Sequence, residues 1–454
     1  MLIVISDLHL TDCSTAANPH STAFTLLTTE LKASVAAKRA TEIHVLLLGD
    51  VFDVVRTSYW HQHVPFAERP WNGDRLDPAT GMNPDAKVEK QFGEVLAGVL
   101  KQRSSAALID GIKSLGDEAN LPVAVTYVLG NHDRVLLNFP SLQRQVAAAF
   151  GPVPVTFANH FHSPEYRVFA RHGHEWDDNC HGWKLRDKVL KPGPGVGRFD
   201  PEAYRVMAIG EVITAELMSG FVHRVRQLRP DDGEFLRVAG EVNNLRPQIE
   251  VIHWLQWLMK EETLRERLDD CGRAFRESLE AMLDTRLARE WDRLKPDLLV
   301  TGDITDTLGK ALAILKTRDG LRKLQKIVPL LEKGGAVLDA LRGHPEDSLY
   351  RGAVEEYGGK GLPVGVEYLM YGHTHRARQE CFGAEVDGPA RMYVNTGTFL
   401  PLIERAADHT SFFRSNRMTF VCFYRSDEDV EGRMGSGPTV DVWDGMKRKD
   451  YLPD

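Results

Sequence analysis

The chain has 454 residues, 43% of them hydrophobic and 26% charged. That is the composition of an ordinary globular protein, long enough for a large core and for more than one structural unit. The formal net charge of -8, from 56 basic and 64 acidic residues, argues against a broadly basic nucleic-acid coat, although it leaves room for a local basic groove. The cysteines Cys13, Cys180, Cys271, Cys381 and Cys422 are scattered, odd in number and never in a C-x-x-C pair, so no disulfide framework is expected. The start, Met1-Leu-Ile-Val-Ile-Ser-Asp, lacks the basic region of a signal peptide, and no apolar stretch is read as long enough to span a bilayer. The expectation is a cytoplasmic protein with no transmembrane segment, its oligomeric state open.

Leu2 to Ile5 is apolar and β-branched, as in a buried strand. A helix is predicted from Ser21 to Arg39, with Phe24, Leu27, Leu31 and Val35 at helical spacing, and a second strand from Ile43 to Leu48. Arg56 to Asn83 turns aromatic and Pro/Gly-rich; a loop of this length is usually functional, and its Tyr59 to Trp71 aromatics are candidates for stacking on a base or sugar. Helix is predicted again from Asp85 to Leu115, then strands from Val123 to Leu129 and Tyr166 to Ala170. From Asp177 to Lys295 helical periodicity dominates, with Trp254, Trp257 and Leu258 read as helix core. Asp297 to Val300 is strand-like, Leu308 to Leu341 helical, and Val366 to Tyr371 a strand. Arg391 to Val394, Met418 to Tyr424 and Thr439 to Val442 return to β character. The early alternation implies βαβ units and a partly parallel sheet. The strand-rich end suggests a second sheet packed on the first. The domain reading is a core in two parts, 1–176 and 361–454, split by a mainly helical insertion, 177–360, which is either a cap over the site or a packing unit.

Five short clusters follow these strands: Asp7-Leu8-His9, Gly49-Asp50-Val51-Phe52-Asp53, Gly130-Asn131-His132-Asp133, His172-Gly173-His174 and Gly372-His373-Thr374-His375. Residues two apart at an extended strand end point to one side, so Asp7 and His9 can grip one ion together. Asp50 offers two carboxylate oxygens, one for each of two metals. Asp53, one helical turn on, either faces the same pocket or is a helix N-terminal charge. Asn131 offers a carbonyl oxygen. His132 is a ligand or a proton donor. The tetrapeptide around them is also a good tight turn. Four histidines in two matched pairs are harder to explain as core residues, and neutral imidazole is the commonest transition-metal ligand. Carboxylate, imidazole and amide together suit manganese, iron, zinc or cobalt better than magnesium alone. No cysteine lies at a matching position, so a structural thiolate zinc site is not expected. Gly302-Asp303-Ile304-Thr305-Asp306 imitates the second cluster and is read as a turn before a helix.

In this order the motifs resemble those of the calcineurin-like metallophosphoesterases, and Val394-Asn395-Thr396-Gly397-Thr398 is similar to that family's closing element. The resemblance frames residues 7 to about 400 and leaves the helical middle uncovered. It implies an α/β fold: a two-sheet α/β/β/α sandwich with a large helical insertion and a binuclear metal centre at the strand ends. Carried over, it implies that Asp7, His9 and His375 hold one metal, that Asp50 bridges, and that Asn131, His172 and His373 hold the other. His172 is preferred to His174 because the family's ligand usually precedes the Gly. His132 would protonate the leaving oxygen or stabilise the transition-state charge, with Asp53 orienting its ring.

The function expected from this is a two-metal phosphoesterase that cleaves a phosphodiester or pyrophosphate with metal-activated water. The expected substrate is small and nucleotide-like, and manganese is the leading cofactor, with iron, zinc and cobalt as alternatives. Arg56 and Arg134 follow two of the motifs and are candidates for binding phosphate, or else for ordinary ion pairs. Other readings are a metal-dependent nuclease, disfavoured by the acidic net charge, and a non-catalytic binding subunit, disfavoured because every ligand position is filled.

Overall fold

A computed structural model of the chain describes residues 1–73, 86–190, 195, 197–246, 250–258, 267–294, 304–317, 320, 323, 345–359, 361–382, 391–407, 411–429 and 437–447. The strand-like run Asp297 to Val300, the look-alike Asp303 and most of the stretch from 318 to 344 lie outside these residues.

Among the described residues, twelve strands form two sheets. The first sheet contains β1 (Leu2–Ile5), β2 (Ile43–Leu48), β3 (Val123–Val128) and β4 (Val155–Ala158), all parallel. The second contains β5 (Phe161–Ser163), β6 (Val168–Ala170), β7 (Tyr368–Tyr371), β8 (Ala377–Cys381) and β9 (Met392–Thr396), with β6, β7 and β9 parallel. The C-terminal strands do not make the second sheet by themselves. β10 (Pro401–Arg405), β11 (Phe412–Tyr424) and β12 (Thr439–Lys447) extend the first sheet, because β11 pairs antiparallel with β1 through Leu2↔Phe423 and Val4↔Val421.

Period-two alternation explains the layering. Leu2, Val4, Leu46, Leu48 and Val128 of the first sheet pack against Val168, Ala170, Met370 and Val394 of the second. The odd residues Ile3, Ile5, Val45 and Leu47 face the other way, into a cluster with Phe24, Leu27, Leu31 and Val35 of α1 (Ser21–Ala37). Each of those four α1 side chains contributes about 1.5–3 kcal/mol by burial. Beyond the second sheet, Phe169, Leu369 and Tyr371 pack on Leu349 and Ala353 of the helix Pro345–Gly358. Two facing sheets therefore carry helices on both outer faces. The helix predicted from Asp85 to Leu115 is two helices, α2 (Ala86–Leu100) and α3 (Arg103–Lys113).

The inserted helices share the main core instead of forming a separate one: Val206, Phe221, Ala239, Trp254, Phe275 and Leu287 join the cluster of Ile3 and Val45. One helix among the described residues, Ala203–Leu228, is long and apolar enough to cross a membrane, which the sequence reading missed. Its most apolar window has a mean hydropathy of 1.3 and is 94% buried inside the protein. The same burial makes it a core helix in this fold.

The aromatic loop is also anchored to the insertion. Trp60 and Trp71 are buried and meet edge to face at 5.6 Å, so they are not available to stack on a substrate. Glu216, fully buried in that helix, takes Arg69 Nη1 at 2.6 and 2.7 Å and Trp71 Nε1 at 2.7 Å. Glu216→Ala would leave a buried guanidinium without its counter-ion, at a cost of about 3–5 kcal/mol. The expected result is a clear drop in the thermal unfolding midpoint. An unchanged midpoint means this pair does not anchor the loop.

Candidate metal centre

The C-terminal ends of β1, β2 and β3 meet those of β6 and β7, where the ligand-bearing turns begin. Backbone bonds tie the turns together: Asp7 N–H donates to Gly49 O at 3.0 Å, His9 N–H to Asp50 O at 2.9 Å, and Gly372 N–H to His172 O at 2.9 Å. Asp7, His9, Asp50, His373 and His375 all have positive φ, between 42° and 70°. Side chains normally avoid this region, so surrounding bonds must hold each one there. Gly49 has φ +83° and Gly130 lies against Asp50; a Cβ at either would overlap His172 or Asp50.

The side chains converge in overlapping groups. Asp7, His9 and His375 form one, His9, Asp50 and His132 a second, and Asp50, His172 and His373 a third. His9 Nε2 is 2.9 Å from His375 Nε2, and His375 Nε2 is 3.5 Å from Asp7 Oδ1. Asp50 Oδ2 lies between the groups, 3.5 Å from His9 Nε2 and 3.3 Å from His172 Nε2. His172 belongs to these groups; His174 belongs to none among the described residues.

These residues fit a metal on their own chemistry. Asn131 Oδ1 and His172 Nε2 are buried without a hydrogen-bond partner. Buried polar atoms are rarely left so without a further partner. The rings are also held by their far nitrogens, as ligating histidines are. His172 Nδ1 donates to Leu48 O at 2.8 Å, leaving Nε2 towards Asp50. Asp53 Oδ2 lies 2.9 Å from both His9 Nδ1 and His132 Nδ1, so one carboxylate orients two rings. The 395–398 element fastens the rest. Asn395 Nδ2 donates to Gly372 O at 2.6 Å, Thr396 Oγ1 lies 2.5 Å from Ser6 Oγ, and Thr398 Oγ1 donates to Asp7 O at 2.6 Å. Asp133 clamps two turns together by accepting Val51 N–H at 2.9 Å and Gly130 N–H at 2.6 Å.

Charge in the site is concentrated. Burial pushes the Asp7 carboxyl up, and the neighbouring Asp50 charge adds to this. Burial works the same way on Asp50, but the His172, His132 and His9 rings hold it well below the usual carboxylate range. Burial drives His9 down to about 3, keeping the ring neutral as a ligand must be. Burial opposes charge on His132, but Asp53 and Asp50 outweigh it and raise its pKa.

The two arginine candidates separate. Arg56 is buried, its Nε is 3.2 Å from Asp53 Oδ2, and none of its nitrogens has a hydrogen-bond acceptor. Arg134 does not face the centre. Its Nε and Nη2 make a paired contact at 2.9 Å with both oxygens of Glu211, and Nη1 donates to Arg205 O at 2.7 Å, so its donors are committed to the insertion.

Three residues were missed by the sequence reading. Arg246 enters from the insertion, held by the bond Arg246 N–H to Ile403 O at 3.0 Å, and places Nη2 2.9 Å from His375 Nδ1. Burial and the charge of Arg56 bring its pKa down to about 9. Asp177 and Cys180 form a further group with His373, Asp177 Oδ2 lying 3.2 Å from His373 Nε2, so a cysteine does adjoin the site. Asp177 and Cys180 follow His172-Gly173-His174 closely enough to have been weighed with it. Nothing in the sequence marks Arg246. Searched against protein-family models the chain matches none, and no curated protein matches it at a significant level.

Proposed function

We propose that this protein is a metallophosphoesterase of the calcineurin-like kind, hydrolysing a phosphodiester or pyrophosphate bond in a small, nucleotide-like molecule. The observation that carries the reading is Asp50 Oδ2, poised 3.5 and 3.3 Å from the ring nitrogens of two separate donor groups. Asp7, His9 and His375 would hold one divalent ion, Asn131, His172 and His373 the other, with Asp50 shared and manganese the leading candidate. Bound there, the ions would lower the pKa of water and neutralise charge on the phosphate.

The chain's own residues divide the remaining work. Arg56 is buried and Arg246 half-buried, their guanidinium charges repel each other, and a phosphate held by both would relieve that repulsion. His132, oriented through Nδ1 by Asp53, can give a proton from its other nitrogen to the leaving oxygen. Asp53 and Asp50 raise its pKa, which favours the protonated ring.

The test is hydrolysis of bis-p-nitrophenyl phosphate with added Mn²⁺, alongside elemental analysis of the purified protein. No turnover together with no bound metal rejects the reading. His132→Ala is expected to slow a substrate with a poor leaving group ~10²-fold or more while metal content stays unchanged. The p-nitrophenyl ester, which leaves without a proton, should suffer less. Loss of metal in this variant would instead make His132 a ligand, which its place beside His9 and Asp50 also allows.

A further inference from the structure

A cavity of about 890 Å³ lies within the roughly 300–1,000 Å³ range of small-molecule sites. Its walls come from the loop that follows Asp7 and His9, the start of α3, the inserted helices Gly220–Leu228 and Gly233–Gly240, and strand β11. Ala23, Leu26, Val222, Leu236, Phe399 and Met418 give it an apolar lining. Trp443 stands at its edge, 39% exposed.

Six cationic side chains surround that lining: Lys101, Arg103, Arg226, Arg237, Arg414 and Arg417. Glu241 is the one carboxylate among the described lining residues, and it is already occupied, 3.4 Å from Arg414 Nη1 and accepting Asn244 Nδ2 at 3.1 Å. No ion pair neutralises the other five cations among the described residues, and Arg417 Nε is buried without an acceptor. In a chain of net charge -8, this is a strong local reversal of sign. A low-dielectric concavity lined by one sign of charge focuses the field on a ligand of the other sign.

We propose that this cavity binds a phosphorylated amphiphile: a small molecule whose phosphate meets Arg226 and Arg417 and whose apolar or aromatic body fills the space between Leu236, Val222 and Met418. A nucleotide and an alkyl phosphate both have this chemistry. The site is separate from the metal centre, since no residue of the metal-binding groups lines it. The two share a wall. Phe399 N–H donates to Asp7 O at 3.4 Å, and Asn244 is two residues from Arg246. The proposal rests on the cavity and not on the hydrolase reading.

Calorimetric titration of the full chain, with EDTA present so that bound metal cannot capture phosphate, tests it. The probes are ADP, dodecyl phosphate and inorganic phosphate. At least one of the first two is expected to bind ~10-fold or more tightly than inorganic phosphate, and which one does so names the source. The double variant Arg226→Glu/Arg417→Glu should weaken that binding about tenfold or more. Leu236→Trp should weaken it by filling the cavity without changing charge. Both variants should leave bis-p-nitrophenyl phosphate turnover at the wild-type level, and the binding result stands even if the wild type proves inactive. The proposal is overturned if neither amphiphile binds more tightly than inorganic phosphate, or if Leu236→Trp, folded by circular dichroism, binds as the wild type does. Should the charge-reversal variant fail to fold, Leu236→Trp decides alone.

Discussion

Asp50→Asn is expected to cut Mn²⁺-supported hydrolysis of bis-p-nitrophenyl phosphate by at least ~10³-fold, the loss of several kcal/mol of charge stabilisation. The substitution is nearly isosteric. Its side-chain oxygen can still accept the His132 N–H that Asp50 Oδ1 accepts at 2.8 Å, so the turn should persist. What disappears is the negative charge 3.5 Å from His9 Nε2 and 3.3 Å from His172 Nε2. Without it the two donor groups have no shared anion, and metal content by elemental analysis should fall with turnover. The thermal midpoint separates this from unfolding. A folded Asp50→Asn protein with full metal content and more than a tenth of the activity would show that Asp50 is not the bridge.

The residues of this centre were legible because their information is local. A strand ending in Gly-Asp or Asp-x-His announces itself within a few positions, and parallel strands bring such ends to one edge. A buried strand was equally plain in Leu2 to Ile5, whose two faces go to two different cores. Sheet membership was not legible. Whether β11 pairs with β1 or with β9 depends on register between segments some 400 residues apart, and both pairings would look alike in composition. The choice for Arg134 between phosphate contact and ion pair was open for a related reason. Its partner Glu211 lies in the insertion, and nothing near Arg134 in sequence signals that pair. The aromatic loop has the composition of a binding loop, yet Trp60 and Trp71 bury themselves against helices that only the tertiary fold supplies. Left-handed backbone at Asp7, His9, Asp50, His373 and His375 was equally hidden, because it is imposed by bonds such as those from Thr398 and Asn395.

Arg246 is the clearest case of a residue at the centre that sequence spacing cannot reveal, and it carries the second large expected effect. It belongs to the insertion, reaching the centre because the single bridge Leu245↔Ile403 docks its backbone on β10. Its guanidinium then sits 2.9 Å from His375 Nδ1, at a site where Arg56 already brings a buried positive charge. The charge on Arg56 lowers the pKa of Arg246 after burial has done so, and Asp7 and Asp50 offset only part of this. Under the proposed function a substrate phosphate would relieve the repulsion between the two guanidinium charges, and the gain would be larger as charge builds on its oxygens. Arg246→Ala should therefore lower kcat by ~10²–10³-fold, the size of effect seen when one preorganised donor is removed. KM should change less, because the contact matters most when charge develops. Arg246→Lys should restore only part of the loss, since an ammonium cannot reproduce the planar fork. If Arg246→Ala instead raises KM alone, Arg246 binds substrate without favouring the reaction. If neither constant moves in a folded, metal-loaded variant, the insertion takes no part in the chemistry, and Arg56 is left as the cation facing the phosphate.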